Sequence, residues 1–169
     1  MSGDGSPCCG RHPTPKETTV EEAAFDSAAL AVLEVARYYW QTFAIPQSQS
    51  WLCALQRAET RFPGLNGVEV GLDTLAAVQA MRMSRTSCFN FNNPGCPHCS
   101  LIVSEHERQF MNVLQAVRQG RVGAAKTHAM ILCEGNDTER LIMRMVSLAR
   151  ALTPEEIEPV TQDVHPQLA

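Results

Sequence analysis

Residues 18 to 44 restrict the fold more than any other stretch. Two capping signatures open it, Thr18-x-x-Glu21 and Thr19-x-x-Glu22, in which a hydroxyl and a carboxylate can satisfy the N–H groups left open at a helix start. The pattern predicts one long helix from there to about Ala44. Asp26, Glu34, Arg37 and Gln41 form a narrow polar stripe, flanked by Ala24, Ala28, Ala31, Val35 and Tyr38 on one side and by Phe25, Ala29, Val32, Ala36, Tyr39 and Phe43 on the other. A helix so apolar around its circumference is either central to a helical core or shared with a second subunit, and we read a homodimer. Tyr38, Tyr39, Trp40 and Phe43 are read as core or interface packing ahead of a ligand-stacking wall.

Five further segments continue the helical pattern. Ile45-Pro46 stops the first helix. Ser48 or Ser50 can cap a short one with Trp51, Leu55, Ala58 and Phe62 on one side, and Cys53 reads as a small buried apolar residue. Asn66-x-x-Glu69 opens a third over about 68 to 84. A fourth runs from about Leu101 to Gln119, a shorter fifth from Arg121 to Glu134, and a sixth follows Asn136-x-x-Glu139 with Leu141, Ile142, Met145, Leu148, Ala149 and Leu152 at the spacing of a buried face. Sustained two-residue alternation and a Gly-rich phosphate loop are both missing, which counts against a nucleotide-binding α/β fold. The fold class expected is all-α, one domain of five or six helices over residues 18–158, with loose tails at 1–17 and 159–169. A length of 169 residues suits a single core.

Between the third and fourth helices lies Cys88-Phe89-Asn90-Phe91-Asn92-Asn93-Pro94-Gly95-Cys96-Pro97-His98-Cys99, with three thiols and an imidazole in twelve residues. Two thiols two residues apart can face one ion about 2.3 Å away, the spacing of structural zinc knuckles. Gly95 allows a tight turn, and N–H groups at the start of the following helix would stabilise thiolate charge. The metal ligands expected are Cys88, Cys96, Cys99 and, through tertiary packing, Cys133. His106 could be the fourth ligand only if its helix starts late, with Ser104 as cap and Glu107 at its third position; otherwise it is a core histidine with a hydrogen-bonded ring. His128 is another candidate, and His98 points away from such a knuckle more often than into it. Zinc is preferred, with an iron–sulfur cluster as the alternative. Cys8, Cys9 and His12 read as incidental residues of a tail.

The tetrapeptide Cys96-Pro97-His98-Cys99 also resembles the active-site motif of thioredoxin-superfamily disulfide oxidoreductases. That resemblance spans four residues and implies Cys96 as nucleophile and Cys99 as resolving thiol, but the βαβ pattern of that family does not surround it.

A formal charge of −4 gives no general attraction to polyanions. A third reading has Arg82 and Arg85 meeting an anion or nucleic acid, with Arg118, Arg121 and Lys126 as a second basic patch; composition counts against nucleic acid. The apolar runs are shorter than a membrane span and the opening residues do not form a signal peptide, so a cytoplasmic protein is expected. Seven cysteines in that compartment point to metal or thiol chemistry over structural disulfides. The sequence thus favours a metal-dependent interaction or regulatory module, compatible with metal or redox sensing, over an enzyme, with Glu105 or Glu107 the only local general-base candidates had the site been catalytic.

Overall fold

The computed structural model describes residues 12–153. Among them are seven α-helices and one two-stranded sheet. The elements are β1 (Thr18–Thr19), α1 (Val20–Ala23), α2 (Ser27–Ala44), α3 (Ser50–Arg61), α4 (Gly67–Ser84), β2 (Ile102–Val103), α5 (Glu105–Arg118), α6 (Val122–Leu132) and α7 (Glu139–Ala151). The loose C-terminal tail expected at 159–169 and most of the N-terminal one lie outside the described residues.

The long first helix expected from sequence is two helices. Thr19 and Glu22 form the capping box of α1, but Ala24 takes a left-handed conformation with φ 51° and Asp26 caps a fresh start, accepting the Ala29 N–H at 2.7 Å. The break turns Phe25 inward. From there α2 is the central element, packed on α3, α4 and α5, so its apolar circumference is covered within one chain.

Its polar stripe is a row of tertiary connectors. Asp26 pairs with Arg118 of α5 at 2.7 Å, and Glu34 with Arg61 of α3 at 2.8 Å. Gln41 accepts from the Ser50 hydroxyl at 3.0 Å, and Arg37 turns towards the cysteine-bearing loop.

The crossing of α3 and α4 corrects the face expected for α3. Ala54 and Ala58 are enclosed, whereas Trp51 is 43% exposed and Cys53 is exposed rather than buried. Near the end of α3 the two backbones meet closely at Gly67, where a Cβ would stand 2.7 Å from the Glu59 Cα and 2.8 Å from the Ala58 carbonyl oxygen. An approach this close leaves room for a side chain no larger than alanine at Ala58.

Asn66 caps α4 as its sequence suggests, accepting the Glu69 N–H at 3.2 Å. On α7, Leu141, Met145 and Leu148 face the core. Asn136 does not cap that helix; its amide donates to the Ser84 carbonyl and ties the α6–α7 turn to the end of α4. β1 pairs antiparallel with β2, Thr18 opposite Val103, and so fastens the chain before α1 to the far end of the cysteine loop. Among the described residues no helix is long and apolar enough to cross a membrane.

Candidate functional site: two thiols on a clamped loop

Residues 85–104 connect α4 to α5 almost without regular structure, so their polar backbone needs partners from elsewhere. At the loop's start the Glu134 carboxylate supplies them. It accepts from the Thr86 N–H and hydroxyl, each at 2.8 Å, from the Ser87 N–H at 3.2 Å and from the Ser87 hydroxyl, and it pairs with Arg85 at 3.1 Å. These donors, the Ser87 hydroxyl foremost, hold its pKa down at about 2.

The middle of the loop is held by aromatic packing. The Phe89 and Phe91 rings lie 4.4 and 6.1 Å from that of Trp40, whose indole packs edge-to-face with Phe110 at 5.2 Å. The Asn90 N–H donates to His106 Nδ1 at 2.9 Å, and the Asn90 carbonyl accepts from the Ser104 hydroxyl at 2.6 Å.

The loop's second half is fixed by a buried ion pair. Arg37 donates through Nε and Nη2 to the two oxygens of Glu107, at 2.7 and 3.1 Å, and also to the carbonyls of Ser100 at 2.7 Å and Ile102 at 2.5 Å. Glu107 further accepts the N–H groups of Asn92 at 2.9 Å and Ser104 at 2.7 Å, and the Asn92 amide at 3.2 Å. Five donors therefore saturate a carboxylate with no exposed surface. Glu107 cannot act as the general base its position suggested, because its proton-accepting oxygens are enclosed and occupied. Arg37, assigned by periodicity to a polar stripe, is 3% exposed and was not anticipated as part of the site.

On this frame sits Cys96-Pro97-His98-Cys99. Asn93 accepts the Gly95 N–H on its side chain at 2.9 Å and the Cys96 N–H on its carbonyl at 3.3 Å, and the Cys96 carbonyl accepts the Ser100 N–H at 2.9 Å. The Cys99 N–H donates to Cys96 Sγ at 3.4 Å. Cys96 is part-exposed and Cys99 buried. The segment leads into a 3₁₀ turn, Cys99–Leu101, and then β2, so the helix expected to begin near Leu101 starts at Glu105 instead. Ser104 and Glu107 form its capping box, so the N-terminal N–H groups of that helix lie beyond Cys99, and it is the Cys99 N–H itself that donates to the Cys96 sulfur.

Among the described residues no three Cys, His, Asp or Glu side chains are gathered so as to hold one metal ion. Cys88 is exposed at the loop's start, whereas Cys133 is fully enclosed in the hydrophobic core, where burial pushes its thiol pKa up and opposes the thiolate a metal requires. The late helix start that would admit His106 as a ligand does occur, yet its Nδ1 already accepts a backbone N–H, which places the proton of the neutral ring on Nε2. His128 contacts Gln109 at 2.8 Å, and His98 is exposed. Among the described residues Cys88, Cys96, Cys99 and Cys133 are not gathered into one group, and Cys96 and Cys99 lie together on the clamped turn.

His106 also sets a pH dependence. Burial first, then the nearby Arg85 charge, lowers its pKa below the ordinary 6.5, while Glu105 and Glu134 oppose this more weakly. The folded state thus binds this proton less readily than the unfolded chain. Its contribution to stability is full above pH 6.5 and falls as pH drops through 6.5 towards the lower folded value. Melting temperatures from about pH 7.5 to about pH 5.5 should fall more steeply for the natural chain than for His106→Gln. Parallel curves would remove His106 as the source.

Comparison with protein-family models, curated proteins and solved structures finds no match for this chain.

Proposed function

We propose that this helical protein is a thiol-responsive regulator whose switch is the Cys96/Cys99 pair. The observation that carries the reading is the Cys99 N–H on Cys96 Sγ, with Cys96 the more accessible of the two thiols. A hydrogen bond to sulfur favours the thiolate, and exposure admits an oxidant. With a disulfide as oxidant, the Cys96 thiolate attacks one sulfur, forms a mixed disulfide and expels one thiolate. The Cys99 thiolate then attacks Cys96 Sγ, closes the intramolecular disulfide and expels the second thiolate. The protein is oxidised by two electrons and the partner disulfide is reduced to two thiols. Closing a ring here would strain or release the turn that Arg37 holds through the Ser100 carbonyl, which is how the state of the thiols would reach α2.

The test is intact mass and peptide mapping of the reduced protein equilibrated with oxidised glutathione. The expected product is a Cys96–Cys99 disulfide; Cys99→Ser should accumulate a glutathione adduct on Cys96, and Cys96→Ser should form neither. Failure of the pair to oxidise would overturn the reading. Elemental analysis of protein purified without oxygen or added metal decides against the sequence-based alternative. About one zinc per chain, or iron with acid-labile sulfide, lost in Cys96→Ser, would return Cys88, Cys96, Cys99 and Cys133 to the role of metal ligands.

A further inference from the structure

The clamp of the loop's first half leaves a groove of about 320 Å³ between the C-terminal half of α2, the end of α4 and the loop's opening residues. Its walls include Trp40, Phe43, Arg82, Arg85, Cys88 and Phe89. Two of these carry buried donors that have no acceptor among the described residues: Trp40, 3% exposed, at Nε1, and Arg85, with a side chain 5% exposed, at Nε. A buried donor left unpaired costs free energy, and native proteins satisfy nearly all of them. Both orphans are donors, so the missing partner is an acceptor.

Charge narrows the class. Arg85 is already paired with Glu134 and donates to the Leu132 carbonyl. The Arg82 guanidinium stacks over the Phe43 ring at 3.7 Å and has no carboxylate at ion-pair distance among the described residues. The groove therefore offers about one unneutralised positive charge set among aromatic faces. That balance suits a monoanion with an apolar body better than a phosphate dianion, and a single uncompensated cation is too little for a nucleic-acid backbone.

We infer that the groove between α2 and α4 binds a small amphipathic carboxylate, its apolar body against Trp40, Phe43 and Phe89 and its anionic end towards Arg82 and the unpaired donors. This site is separate from the thiol pair and stands whether or not that pair is redox-active.

The chain has two tryptophans, so Trp51→Phe leaves Trp40 as the emitter. Benzoate, octanoate, inorganic phosphate and the neutral analogue benzyl alcohol are titrated at constant ionic strength into full-length Trp51→Phe protein. The expected result is a saturable emission change with benzoate or octanoate and none with benzyl alcohol. Adding Arg82→Ala, an exposed change checked by circular dichroism and melting, should weaken binding about tenfold or more. Bound carboxylate should also slow iodoacetamide modification of Cys88, read by peptide mapping. No saturable response, an equal response to benzyl alcohol, an affinity indifferent to Arg82, or a preference for phosphate would each overturn the inference.

Discussion

Arg37→Met should be the most damaging polar substitution in this protein, lowering stability by about 3–5 kcal/mol in urea denaturation, because it strands an enclosed carboxylate without its counter-charge. Glu107 has no exposed surface, and Arg37 supplies two of its five hydrogen bonds. An isolated buried ion pair can often be replaced by two apolar residues at no net cost. Here that remedy should fail. Arg37 also satisfies the Ser100 and Ile102 carbonyls, and Glu107 the N–H groups of Asn92 and Ser104. The double variant Arg37→Met/Glu107→Leu would remove all four of those hydrogen bonds to the backbone, only the Ile102 carbonyl keeping its second donor, the Asn92 amide at 3.0 Å, so it should remain well below the natural chain in stability. It should also raise the rate at which Cys99 is alkylated, since Ser100 and Ile102 anchor the turn containing it. A double variant as stable as the natural chain would show that the pair is a dispensable ion pair and that the loop is held by other means.

The helical class and the positions of most helices were legible because apolar periodicity and caps such as Asn66 and Ser104 act within a few residues. The split at Ala24 was not, since the Thr19/Glu22 and Asp26 signals lie so close that they merge into one apparent start. The face of α3 misled for a different reason. Trp51 is the largest apolar side chain of that helix, but the close approach of α4 that Gly67 permits at Ala58 and Glu59 leaves no mark in the sequence of α3 itself. The site divides the same way. Cys96 and Cys99 could be paired by spacing alone, and Glu107 could be placed by its capping box. The link between Arg37 and Glu107 spans seventy positions, and nothing in either neighbourhood marks the partner. Asp26, Glu34, Arg37 and Gln41 look like a solvated stripe because periodicity reports which residues share a face; it does not report what covers that face.

Phe110→Ala tests whether the aromatic cluster couples the helical body to the loop. Phe110 is fully buried and its ring packs edge-to-face with Trp40, which in turn carries Phe89 and Phe91. Truncation removes the transfer energy of a phenyl ring and leaves a cavity, a loss of about 3–5 kcal/mol; Phe110→Leu, which fills more of the space, should cost clearly less. Leu141→Ala provides the comparison, since it opens a cavity on α7 and costs about 2–5 kcal/mol. Both truncations should lower the urea midpoint, but only Phe110→Ala should shift Trp40 emission in folded Trp51→Phe protein and speed the modification of Cys88, because only it withdraws the support beneath the Trp40 indole. Equal emission and equal Cys88 reactivity in the two variants would mean that the loop stands on its hydrogen-bond clamps alone, with Glu134 and the Arg37–Glu107 pair sufficient to place it.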